Sequence, residues 1–151
     1  MYKLRIAVIF ITSLTGYESS CLADGNGFLS DTVRFRANDL SLKVEIAANE
    51  KQRETGLMFR QALAADQGML FVFEEQSSIH VWMKNTLIPL DVIFIDQTGK
   101  IVSMLKNLPP CKQTNCPVYH SAAPASFMLE VNAGFIEQQQ IQPGQAIKLP
   151  F

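Results

Sequence analysis

No cluster of lysine and arginine occurs in this 151-residue chain, and 13 basic against 14 acidic side chains leave a formal charge of -1. A polyanion has nothing to grip, so nucleic-acid binding has no support. Beyond the first two dozen residues no apolar run is long enough to cross a bilayer, which excludes a transmembrane helix from the mature chain. The C-x-x-C pair of thioredoxin-like redox sites is missing. So are internal repeats, low-complexity tracts and any cofactor motif, which leaves no cofactor expected. The repeated crossover helices that a doubly wound sheet needs are absent too. What is present, 48% hydrophobic and 18% charged residues, suits one compact domain rather than a disordered chain.

The start of the chain has a different character. Lys3 and Arg5 precede an apolar run from Ile6 to Leu14, too short for a membrane span but suited to the core of a secretory leader. Cys21-Leu22-Ala23 sets small residues at both cleavage-facing positions, so residues 1–23 read as a signal peptide cut after Ala23. An ordinary buried first strand is the alternative. Ser19-Ser20-Cys21 invites a lipid anchor, but Glu18 stands where a bulky apolar residue is wanted, which favours a free periplasmic or secreted form.

Residues 24–40, rich in Gly, Asn, Asp and Ser up to Asn38, read as a flexible N-terminal segment, and residues 41–151 as the domain. Ser41 to Ala47 alternates, directing Leu42, Val44 and Ile46 inward from a half-buried strand. Asn49 and Gln52 form a capping pair for a short helix, which Gly56 interrupts. Further strands are expected at Gly68–Phe73, Ser78–Met83, Leu90–Asp96, Lys100–Lys106, Ser126–Asn132 and Gln145–Leu149, with one helical turn at Phe135–Gln139. The fold class is therefore mainly β, a β-sandwich or partly closed barrel with one short helical insertion.

Chemistry concentrates in WMKNTLIPLD, Trp82 to Asp91. Asp91 begins an otherwise apolar row with Ile93 and Ile95, so its carboxylate needs a hydrogen bond, a cation or the solvent rim. Lys84 and Asn85 are the expected partners, either as a staple of the loop or as a ligand-recognising rim; the structural role leads. Trp82 offers a broad apolar surface beside that turn, and His80, two residues earlier, can share its strand face. Glu130, in FMLEVNAG, could pair with Arg53 or Arg60 in a structural network, or meet Asp91 in an acid–base pair. Both arginines are read first as structural ties to carboxylates or backbone carbonyls.

Cys111 and Cys116 frame CKQTNC ahead of His120. In an exported protein a disulfide fixes such a loop. Metal ligation by Cys111, Cys116 and His120 is the alternative, but the spacing matches no specific zinc pattern, and no metal is assigned.

RETGLMFR, GMLFVF, WMKNTLIPLDVIFID and LEVNAG together resemble the DUF192, or UPF0127, family, over about Leu42 to Leu149. The resemblance implies a compact, mainly β domain with a small helical element, usually exported in bacteria, and brings no catalytic residues with it. Val81 stands where an aromatic residue often precedes the tryptophan, and the cysteine loop looks like a subgroup decoration. The leading functional expectation is an exported binding or accessory module for a small polar ligand, saccharide or peptide. Arg53, Trp82, Lys84, Asn85, Asp91 and Glu130 are its candidate contacts. A hydrolase using Asp91 or Glu130, and a structural envelope interaction module with an exposed apolar patch, are the alternatives.

Overall fold

The structure, a computed structural model, describes residues 27–151. The signal-peptide reading and Cys21 lie outside the described residues. Among the described residues nine strands and two short helices follow in the order β1 (Leu29–Phe35), β2 (Leu40–Ala47), α1 (Glu50–Thr55), β3 (Gln67–Ser77), β4 (His80–Trp82), β5 (Leu90–Ile95), β6 (Ile101–Leu108), β7 (Val118–His120), β8 (Ala125–Asn132), α2 (Phe135–Gln138) and β9 (Ile147–Lys148).

Seven strands form one sheet in the order β6-β5-β8-β3-β2-β1-β9, while β4 and β7 pair separately. Only β2 and β3 run parallel, joined by the crossover that carries α1. The large sheet curls until its edges meet. Next to β9, Ile101 donates to the Gln145 carbonyl at 2.9 Å, and Ile147 donates to the Gly99 carbonyl at 2.8 Å. This is the partly closed barrel that the strand spacing predicts.

Curling gives the sheet two buried faces, and alternation sorts the side chains between them. Leu42, Val44, Leu70, Ile93, Ile95, Leu129 and Val131 fill the inside of the curl, which α2 closes with Phe135 and Ile136. Met69, Phe71, Leu90, Val92, Phe94 and Met128 form a second core on the outer face, beneath Leu57, Val81 and Met83. All six residues of β5 are buried, Asp91 among them, so this strand is covered on both faces and its apolar residues do not alternate with exposed ones.

One expectation is corrected here. Residues 29–35, placed in the flexible segment, form β1, which pairs with β2 along its whole length. Val33 and Phe35 are buried inside the curl, and that burial outweighs the turn-forming composition around them. The helical turn expected at Phe135–Gln139 is present as α2. In α1 the capping pair is present: the Asn49 side chain accepts from the Gln52 amide at 2.9 Å, and the Gln52 side chain accepts from the Asn49 amide.

Two irregularities in β6 matter for the site. Leu90 faces Leu108 but Val92 faces Leu105, so β6 carries an extra residue opposite Asp91. A second extra residue lies between Ser103 and Ile101. Such bulges bend an edge strand and leave a backbone group unpaired.

Cys111 and Cys116 are joined in a disulfide. The sulfurs are bonded to each other, so the Cys111–Cys116–His120 metal alternative is not formed. The bridge sits beside the candidate turn: the Cys111 amide donates to the Met83 carbonyl, and the Asn85 amide to the Cys111 carbonyl. Replacing both cysteines by serine is expected to lower unfolding stability by about 2 kcal/mol, from the restored freedom of a six-residue loop. Urea denaturation of the oxidised protein and the double variant checks this, and equal midpoints would contradict it.

Candidate functional site

The outer face of the sheet is not completely covered. Between α1, the turn after it, β4, β3 and β8 lies a cavity of about 260 Å³. Its floor is Phe71, Met128 and Glu130, and Leu57, Met58 and Val81 form its walls. Glu50, Arg53, Glu54, His80 and Trp82 ring the mouth. Gly56 lets the chain pass close over the floor: its φ is +45°, and an added Cβ would lie 3.2 Å from Phe71 Cζ.

Glu130 reaches this cavity because β8 alternates. Leu129 and Val131 enter the inner core, so Met128 and Glu130 face outward. The residue is only 6% exposed. Among the described residues no hydrogen bond or ion pair reaches its carboxyl group. Every fully sealed side-chain oxygen or nitrogen does have a partner, so the Glu130 oxygens keep contact with the cavity. Burial pushes its pKa up from 4.5 to about 8, with no nearby cation holding it down. At neutral pH it is a carboxylic acid.

Neither arginine pairs with Glu130. Arg53 Nη1 donates to the Ala48 and Val72 carbonyls, both at 3.0 Å, and the guanidinium lies 5.5 Å from the Phe73 ring centroid. It pins α1, which buries no residue of its own, to β3. Arg60 instead grips Glu45, donating from Nη1 and Nη2 to its two carboxylate oxygens. The structural reading of each arginine holds, and the proposed Glu130 salt bridges are corrected.

Asp91 has a different place altogether. It is completely buried, and its two oxygens accept backbone amides: Asn107 at 2.8 Å and Ile136 at 2.9 Å. Asn107 belongs to the bulge in β6, and Ile136 lies in the first turn of α2, whose Gly134 cap provides no side-chain bond. Asp91 thus satisfies one bulge donor and one helix-end donor. Lys84 and Asn85 are not its partners, and no shared rim exists. Nor can Asp91 meet Glu130. Asp91 stands opposite Val131, and Glu130 opposite Val92, so the two carboxyls leave opposite faces of the sheet.

Lys84 and Asn85 instead line a shallow groove on the far side of Trp82, together with Phe59 and Met58. Lys84 Nζ lies 5.0 Å from the Trp82 ring centroid. Asn85 has φ +55°, and its carbonyl accepts the Phe59 amide at 2.9 Å, so it works mainly through its backbone. Trp82 is 46% exposed and lines both this groove and the cavity, as do Glu54, Thr55 and Met58. His80 faces His120 edge-on, 4.5 Å between centroids, but no group of three or more metal-ligating side chains occurs among the described residues.

Of the six candidate residues, Arg53, Trp82 and Glu130 therefore share the cavity, Lys84 and Asn85 its neighbour, and Asp91 neither. Sequence reasoning missed Glu50 and Glu54. Their spacing with Arg53 on one helical face was the available signal. Phe71 and Met128 were legible only as core residues.

Together these features define a class: a small curled-sheet domain with a buried acid at the floor of a cavity on its outer face. The chain belongs to the DUF192 family, described as an uncharacterized ACR, whose profile matches residues 33–149. It is similar to a Sinorhizobium meliloti 1021 protein of solved structure, provisionally described as a transcription regulator. The two are 36% identical with a TM-score of 0.74, over 80% of this chain and 94% of that one. A Novosphingobium aromaticivorans DSM 12444 protein of unknown function is 26% identical with a TM-score of 0.76, over 83% of this chain and 89% of that one. No curated protein matches the chain. No helix among the described residues is long and apolar enough to cross a membrane.

Proposed function

We propose that this protein is an exported binding module whose ligand site is the cavity between Trp82 and Glu130. One observation carries the reading: a nearly buried carboxyl group without a protein partner faces a cavity lined by aromatic and thioether groups. Burying such a group costs stability unless something else uses it, and perturbed acids in clefts concentrate at functional sites. The cavity is concave, with a floor that is apolar apart from Glu130 and a polar mouth, the usual build of a small-molecule site. A small polar molecule, or one residue of a saccharide or peptide, matches its size. Export rests on the leader and agrees with the disulfide.

The hydrolase alternative now rests on Glu130 alone, because Asp91 is sealed and both its oxygens are engaged. Glu130 could serve as a general acid, but Lys84 and Asn85 do not line its cavity and cannot stabilise charge there. The interaction-module alternative has Phe59, Trp82 and Val118 as exposed apolar groups around β4.

Trp82 is the only tryptophan in the chain, so its fluorescence reports on the cavity mouth without labelling. Titration with a panel of small polar molecules, saccharides and short peptides, followed by methyl and aromatic NMR, tests the proposal. Shifts centred on Met128, Phe71 and Trp82 are expected for a bound ligand. Shifts confined to Phe59 and Val118 would favour the interaction module, and no response from any class would overturn the binding reading.

A further inference from the structure

The charges around the cavity narrow the class of ligand, given the binding reading above. Glu50, Arg53 and Glu54 come from α1, and His80 from β4. The facing parts of β3 and β5 are the apolar Met69, Phe71 and Val92. Arg53 is already held by two carbonyls and the Phe73 face. Within the lining two glutamates face one engaged cation, so the lining is acidic even while Glu130 is neutral, and Lys84 lies over the Trp82 ring outside it. The floor beneath offers one unpartnered carboxyl group, the Phe71 ring and the Met128 thioether, with the Trp82 indole at the entrance.

We propose that the cavity takes a small organic ammonium ion, a primary amine with an apolar body. Its ammonium would pair with the Glu130 carboxylate, and its body would lie against Phe71 and Met128 below Trp82. An anion would meet the acidic mouth and an acid it cannot pair with. A neutral hydroxyl could accept from Glu130 but would leave the negative mouth unused. The Phe71 ring attracts a cation further, while the Trp82 and Phe73 faces already carry Lys84 and Arg53.

Binding has a defined proton balance. At pH 7 the Glu130 carboxylic O–H loses its proton to buffer, the carboxylate forms, and the ligand keeps its own ammonium protons. With a midpoint of about 8, only about a tenfold preference for the neutral acid opposes this exchange at pH 7. An ion pair formed in a desolvated site can outweigh that preference, since the cation supplies the partner the buried charge lacks.

The test uses the full-length protein and three probes of similar size: benzylamine, benzyl alcohol and benzoate. Trp82 fluorescence and calorimetry in two buffers of different ionisation enthalpy follow binding from pH 6 to pH 9. Benzylamine should bind most tightly of the three, release about one proton at pH 7, and gain about tenfold in affinity from pH 6 to pH 7 and about fivefold more to pH 8, levelling above that. Glu130→Gln should remove both the proton release and the pH slope while leaving weak benzyl alcohol binding. If benzyl alcohol or benzoate binds better than benzylamine, the ammonium class is wrong although the cavity remains a binding site. If none of the three binds at any pH, this inference falls, and the binding reading falls with it only if the wider panel of small polar molecules, saccharides and peptides is silent as well.

Discussion

Wild-type protein should lose stability steadily as the pH rises from 5 to 8, and Glu130→Gln should abolish that loss. The folded-state pKa of Glu130 is raised from 4.5 to about 8 by burial. Between those values the native state keeps a proton that the unfolded chain has released. Stability must then fall with rising pH, and it levels off once the folded group also ionises. The full difference is at most about 5 kcal/mol at pH 8 and vanishes below pH 4.5, since each pKa unit is worth about 1.4 kcal/mol. Relaxation and water entry would reduce it to a few kcal/mol. Glutamine keeps the shape and cannot ionise, so Glu130→Gln should match wild type near pH 5 and exceed it at pH 8. Urea midpoints across this range provide the check. A flat wild-type profile, or a variant that is weaker at pH 8, would show that the native carboxylate is accommodated.

The second large effect belongs to Asp91. Asp91→Ala takes the acceptor from two amides at once, the part-buried Asn107 in the β6 bulge and the buried Ile136 in α2. An unsatisfied buried donor costs about 1–3 kcal/mol and a part-buried one less, so a loss of about 2–4 kcal/mol is expected. Asp91→Asn should cost about half as much, because one amide oxygen can still serve one of the two donors. Because Asp91 faces the inner core and Glu130 the outer, neither variant should alter ligand affinity in the cavity as long as the protein remains folded. A small stability change with a large loss of binding would restore Asp91 to the site.

These two carboxyl groups show what the sequence reveals and what it conceals. Alternation in SLKVEIA, the Asn49–Gln52 cap and the turn residues after Asp96 are local signals, and each reports on groups within a few residues. They suffice for most strands and for a partly closed barrel. Asp96 is the most legible polar residue of the turn. Burial pushes its pKa upward, but the Thr98 hydroxyl, the Lys100 and Thr98 amides and the Lys100 charge outweigh that and hold it below its ordinary value. All of those partners lie within four residues.

Asp91 could be recognised as a buried acid in an apolar row, but not its partners. They are backbone amides, which every residue carries, and one of them is unpaired only because β6 has an extra residue at that point. Side-chain logic therefore selected Lys84 and Asn85, the nearest groups with suitable chemistry. For Glu130 the reverse holds. A cation was expected within reach, and both arginines are engaged elsewhere, Arg53 by carbonyls and Arg60 by Glu45. The short strand β7 escaped notice because Pro117 and the cysteine loop dominate its surroundings, yet it supports β4 and so the position of Trp82.

The claim on which the functional account depends is that Glu130 stands as an unpaired acid at the floor of an open cavity. Its side-chain carboxyl carbon, followed by ¹³C NMR from pH 4 to pH 10 in protein labelled at glutamate, tests that claim directly. The account predicts one glutamate resonance with a midpoint near 8, assigned by its disappearance in Glu130→Gln and shifted by added benzylamine. A Glu130 midpoint near 4.5 would mean that the group is hydrated or paired, and would contradict the account.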